Sequence, residues 1–214
     1  MTLHREASNC AVEADLVGSG SETRTAIRHI DYEEARRVGA LASDYTTDRA
    51  FRLERQGNGG ELRWALREEA LEQPFSSSYD SGNVDEMLDA YGDSVTRDKL
   101  QFILATRAGR AVGLLTWQPV TWNSTLWLLD IRSGMPFRRE GVGSMLLQSI
   151  QSLAAERKCR GITVETQIAN YPAVRLYLKH GFQVAGFHDH FYTNTDLERQ
   201  DVALFLFWCV PGKL

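Results

Sequence analysis

The heptapeptide Arg138-Arg139-Glu140-Gly141-Val142-Gly143-Ser144 separates two stretches of different period. Upstream, TLWLLDIRS (Thr125 to Ser133) is short and apolar, which predicts a strand. Downstream, Val142, Met145, Leu146, Ile150, Leu153 and Ala154 recur at helical spacing. They predict an amphipathic helix from Gly141 to Lys158, terminated by Gly161. A helix N-terminus leaves about four N–H groups without intrahelical partners, and the macrodipole adds partial positive charge there. Gly141 and Gly143 allow an anion close to the backbone, and Arg138 and Arg139 add cationic charge. This is the chemistry of a pyrophosphate-binding turn. The chain has no GxxxxGK[ST] and no GxGxxG opening a first βαβ unit, which sets aside P-loop and Rossmann nucleotide sites. A tight basic turn without a ligand is the competing reading of these seven residues alone.

Upstream of the turn, LQFILATR and AVGLLTWQPV flank Ala108-Gly109-Arg110 and predict a hairpin that continues into Thr125 to Ser133 as a meander. Further back, TAIRHI (Thr25 to Ile30) reads as a first strand. Asp31 then caps a helix expected to reach about Ser43. FRLER (Phe51 to Arg55) and ELRWALRE (Glu61 to Glu68) flank a glycine-rich loop as a hairpin, although the second arm also has helical composition. Pro74 and Ser76 to Ser78 mark a loop, and Asn83 to Tyr91 a short helix. Downstream, GITVETQ (161–167) is a strand, Ala169 to His180 a helix, and FQVAGFHDHFY and VALFLFWCV two closing strands. The order predicts one mixed α/β domain over residues 23–214 with a partly parallel sheet. Residues 1–22 are expected to form a flexible arm.

The 214 residues are 43% hydrophobic and 24% charged, ordinary values for a globular chain. A net charge of -4 argues against a general nucleic-acid binder. No apolar run approaches the ~20 residues of a membrane span, and the first ten residues lack the apolar core of a secretory signal. Cys10, Cys159 and Cys209 form no CxxC pair, so reduced thiols in a cytoplasmic setting are expected. His188-Asp189-His190 would place two imidazoles on one strand face, but no third ligand accompanies them and no metal is expected.

Asn170-Tyr171-Pro172-Ala173-Val174-Arg175-Leu176-Tyr177, followed by Gly181-Phe182, reads N-x-x-A-x-x-L-Y-x-x-x-G-F. With RREGVG upstream, this resembles the GNAT family of N-acetyltransferases over about Leu100 to Phe207, and more loosely over Thr25 to Ser43. The ETQ strand, HFYTN and ALFLFW make it most similar to streptothricin acetyltransferases. The resemblance implies a GNAT fold: a central, mostly antiparallel twisted sheet with one splayed parallel pair and flanking helices.

It further implies acetyl-CoA as co-substrate, with backbone at Ile131 and Ser133 along the pantetheine. The N–H groups from Arg139 through Glu140, Gly141, Val142 and Gly143 to Ser144 would meet the pyrophosphate, with Arg138 nearby. Asn170 and Ala173 would flank the pantetheine. Tyr177 matches the general acid, a phenol of ordinary pKa about 10 beside a departing thiolate. Asp130 or Glu165 would help deprotonate the acceptor amine, and relatives often carry two acids where this chain has Leu129-Asp130. A strand N–H near Ser133 would hold the oxyanion during direct transfer.

From Pro74 to Thr96 the chain has five acids and no Lys or Arg. An acidic wall there, with Tyr79, Asp80 and Glu165 contacting the acceptor and Tyr91 as a further contact, suits a small cationic amine. A solvated acidic face is the plainer reading. The expected partners are a small-molecule amine, no nucleic acid and no membrane, with a homodimer left open. A peptide or protein acetyltransferase and a non-catalytic CoA-binding sensor are the alternatives.

Overall fold

The computed structural model describes residues 24–38, 41, 44–57, 60–77, 83–92, 95 and 97–212. Among these residues, nine strands and five α-helices follow in the order β1 (Thr25–Ile30), α1 (Tyr32–Arg37), β2 (Tyr45–Gln56), β3 (Arg63–Ser77), α2 (Val84–Tyr91), β4 (Gln101–Arg107), β5 (Arg110–Val120), β6 (Thr125–Ser133), α3 (Val142–Glu156), β7 (Gly161–Gln167), α4 (Tyr171–Lys179), β8 (Gln183–His188), α5 (Asp196–Arg199) and β9 (Ala203–Cys209). Seven strands make one sheet, β1-β4-β5-β6-β7-β9-β8, while β2 and β3 pair as a separate hairpin. Among the described strands only β6 and β7 run parallel; the other pairs are antiparallel. The parallel pair is joined through α3, as a βαβ crossover requires.

Each face of the sheet carries its own core. Leu115, Trp117, Leu126, Leu128, Ile162 and Val164 pack on one side with Val142, Leu146 and Ile150 of α3 and Val174 and Tyr177 of α4. Leu104, Leu114 and Leu129 pack on the other with Ala35 of α1 and Met87 and Leu88 of α2. Burying each such aliphatic side chain contributes roughly 1.5–3 kcal/mol. Gly113 is what lets α3 lie so close to β5. A Cβ there would come within 2.5 Å of Val142 Cγ1 and 3.0 Å of Leu146 Cδ1.

The hairpin lies against α4. Phe51 and Leu53 are buried in the α3-side core, and the Phe51 ring meets that of Tyr171 at 5.4 Å. Glu68 accepts from the Tyr171 hydroxyl at 2.7 Å and from Arg49 Nε at 2.7 Å, and Arg175 approaches it at 3.5 Å. Gln200 bonds both the N–H and the carbonyl of Leu53. These contacts settle the second arm as strand, because Trp64 and Leu66 reach the core only in an extended chain.

Three expectations are corrected. The first helix stops at Arg37, where Val38 turns extended at φ -65 and ψ 113; a β-branched residue followed by glycine is a poor continuation. The expected loop at Pro74 belongs to β3. The register passes from Thr47–Phe75 to Arg49–Ala70, so Pro74, which has no N–H to give, falls in the unpaired bulge. The strand expected through His188-Asp189-His190 ends at His188. The His190 N–H turns back onto His188 Nδ1 at 3.1 Å, so the two imidazoles do not line one strand face. The N-terminal arm, Tyr79 and Asp80 lie outside the described residues.

Candidate active site

β6 and β7 pair from Thr125–Gly161 to Leu128–Val164 and no further. Both strands continue, β6 to Ser133 and β7 to Gln167, so the sheet opens between them. The cause is on the β5 side. Thr116 pairs with Asp130 and Trp117 with Leu128, which leaves Leu129 as an extra residue in β6. Such a bulge bends its strand and increases its twist. Gly134 N donates to Val112 O of β5 at 2.9 Å. By strand alternation, the N–H and carbonyl groups of Ile131 and Ser133 then point away from β5, toward the opening.

The basic turn follows at once. Arg139 takes φ +67 and Gly141 φ +87, a left-handed geometry costly for arginine and natural for glycine. Gly141 is the N-cap of α3, and no side chain caps that helix. Arg107 pairs with Glu140, drawing the turn's one acid aside. Gly143 lies where a Cβ would come to 3.2 Å of Leu176, so α3 begins tightly against α4. Ser144 Oγ lies 2.9 Å from His180 Nε2. The turn thus presents Arg138, Arg139 and the start of a helix at one place.

Tyr177, Asp130 and Glu165 converge at the opening. Tyr177 is 4% exposed, and burial, then the fields of Asp130, Tyr91 and Glu165, holds its phenol far above the ordinary value. Asp130 accepts from Arg132 Nε at 2.7 Å, and the Arg132 side chain is 6% exposed. Burial pushes the Asp130 carboxyl up, against the pull of Arg132. Glu165 is the first β7 residue past the last β6 pair. Burial raises it too; a hydrogen bond from the Tyr192 hydroxyl lowers it and the charge of Asp201 adds to the rise. Asn170 caps α4, its side chain accepting from Ala173 N at 3.2 Å, so these two residues shape the start of the helix that carries Tyr177.

Within the described part of the acidic run, Asp85 is engaged by its neighbours. Asp85 accepts from Arg36 Nε at 2.8 Å and from the Tyr32 hydroxyl, which ties α2 to α1. Residue reading missed Arg132, Tyr192 and the bond from Tyr91 to the Leu129 carbonyl at 2.5 Å. HFYTN carried a family signal, but nothing local in it pointed to Glu165. Among the described residues no group of three His, Cys, Asp or Glu could hold a metal.

The acetyltransferase (GNAT) family matches residues 63–182. Streptothricin acetyltransferase A of Bacillus subtilis is 24% identical over 145 residues, 68% of this chain and 79% of that protein. A streptothricin acetyltransferase from Escherichia coli is 31% identical over 88 residues, 41% of this chain and 51% of its own length. The crystal structure of nourseothricin acetyltransferase superposes with a TM-score of 0.71 at 24% identity, covering 88% of this chain and all of that one. A Bacillus anthracis protein in complex with acetyl coenzyme A gives 0.66 at 19% identity, covering 88% and 98%. With the family matched over more than half its length, this chain belongs to the GNAT family and is an acetyltransferase.

Proposed function

We propose that the enzyme transfers acetyl from acetyl-CoA to a primary amine of a small cationic acceptor of the streptothricin class, by direct attack in a ternary complex. One observation carries this reading: the opening between β6 and β7 brings Tyr177, Asp130 and Glu165 together next to an uncapped, arginine-flanked helix start. Acetyl-CoA supplies the activated acetyl thioester. The N–H groups from Arg139 to Ser144, with Arg138, suit its pyrophosphate. The outward backbone at Ile131 and Ser133 suits its amide arm, with Asn170 and Ala173 beside it. Tyr177, kept protonated by burial, donates toward the departing sulfur.

Between the two carboxylates, the pairing favours Glu165 for the amine. Asp130 already has Arg132 as counter-ion, whereas no Lys or Arg pairs with Glu165 among the described residues. Asp130 then serves the framework with Arg132. A cytoplasmic setting belongs to the same reading and would keep Cys159 and Cys209 as the free thiols they are.

A thiol-release assay with acetyl-CoA against streptothricin, aminoglycosides, polyamines and peptides tests it. Turnover of streptothricin is expected. Turnover of peptides alone would replace this reading with a peptide acetyltransferase. Binding of CoA with no acceptor turned over would make the protein a sensor.

A further inference from the structure

Alternation places one side of Glu165 in an aromatic setting. On β7, Ile162 and Val164 enter the α3-side core, and on β9 so do Leu204 and Leu206. Glu165 and its cross-strand partner Phe205 therefore face the other way, side by side. The turn after β8 comes over them. Phe191 meets Phe205 at 5.7 Å and Tyr192 at 5.1 Å, near perpendicular in both cases. Tyr192 donates its hydroxyl to Glu165. Asp196, fully buried, holds this turn by accepting from the N–H groups of Tyr192 and Thr193 and from the Thr193 hydroxyl.

The rings are not consumed by the core: Phe191 is 46% and Tyr192 39% exposed. The carboxylate beside them is half-buried and lacks a basic partner among the described residues, unlike Asp130. A half-buried carboxylate without a counter-ion is costly. Aromatic faces attract cations, and more strongly when water is excluded.

We propose that Phe191, Tyr192 and Phe205 around Glu165 form the seat of the acceptor's alkylammonium group. Glu165 takes the charge, and the rings take the flanking methylenes and the outer face of the cation. This rests on the reading of the chain as an amine acetyltransferase and identifies the acceptor class as a primary alkylammonium. Phe191, on an exposed turn, is the residue whose loss tests the seat without emptying the core.

The test uses the full chain loaded with CoA, with binding of 1,5-diaminopentane and of neutral 1,5-pentanediol followed by intrinsic fluorescence, and steady-state kinetics with streptothricin alongside. The wild type is expected to prefer the diamine. Phe191→Ala should weaken diamine binding and raise the streptothricin KM by about 5- to 30-fold, the range of a partly desolvated cation–π contact. The KM for acetyl-CoA and the gel-filtration volume should stay unchanged, and Phe191→Trp should restore binding. Equal binding of diamine and diol, or a Phe191→Ala variant within twofold of wild type, overturns the seat. So does a variant that elutes as a smaller species with diamine binding intact, which would assign the rings to a second copy of the chain. The binding arm decides the seat even if streptothricin is not turned over, an outcome that would count against the proposed substrate instead.

Discussion

The hydroxyl of Tyr91, at the end of α2, donates to the main-chain carbonyl of Leu129 at 2.5 Å. Leu129 is the extra residue in β6, and the parallel pairing to β7 ends one residue before it. A helix on one face of the sheet is thereby fastened to the bulge at which the sheet opens.

Tyr91→Phe removes that bond and keeps the ring. It should cost about 1 kcal/mol of stability, the usual net value of a hydrogen bond. Because the bulge sets the width of the opening, kcat should fall about tenfold, with the KM for acetyl-CoA nearly unchanged. Steady-state kinetics beside urea unfolding separate the two effects.

Tyr177→Phe keeps the packing of its ring on Phe182, 5.5 Å away, and deletes only the hydroxyl proposed as the proton donor. The expected loss is about 100-fold in kcat, with stability little changed. Wild-type rates across the pH range would remove Tyr177 from the chemistry.

Gly113→Ala puts a methyl group 2.5 Å from Val142 Cγ1 and 3.0 Å from the Arg132 carbonyl oxygen. Overpacking of this kind costs about 1–3 kcal/mol. Val142 opens α3, so the displacement reaches the basic turn. Thermal unfolding should shift down, and the KM for acetyl-CoA should rise more than the acceptor KM.

Burial holds Glu165 above the ordinary glutamate range, and the Tyr192 hydroxyl works against that rise. If the ionised carboxylate receives the amine, kcat/KM for the acceptor falls as pH drops through this raised value. Tyr192→Phe removes a bond that favours the charged form, so the acid limb should move to higher pH. The neighbours that set the limb are Tyr192, Asp201 and Tyr177, whose own rise comes in part from Glu165. A pH profile of the two proteins checks the direction.

Much of the fold was legible in short stretches. β1, the β4–β5–β6 meander, α3, β7 and α4 all follow from period and punctuation, because each buries one regular face. Asp31, Asn83 and Asn170 cap their helices through side chains that accept from the third residue on. The hairpin was less legible. Its second arm has helical composition, and only Trp64, Leu66 and the salt-linked Glu68 against α4 make it a strand. His188 to Tyr192 read as strand by composition, yet Asp196 gathers that segment into a turn with bonds no period can announce.

The residues Arg138 to Ser144 and Asn170 to Phe182 by themselves carried the resemblance to the family, and the glycines and arginines of the first stretch fixed a basic turn at a helix start, because such features act locally. Which carboxylate has a basic partner was decided only in three dimensions. Asp130 and Glu165 look alike as letters. Arg132, two residues along β6, pairs with the first, and the turn after β8 brings Tyr192 to the second and Phe191 to its cross-strand neighbour Phe205. Charge pairing and desolvation depend on what the folded chain places within a few ångströms, and for Glu165 those neighbours are distant in sequence.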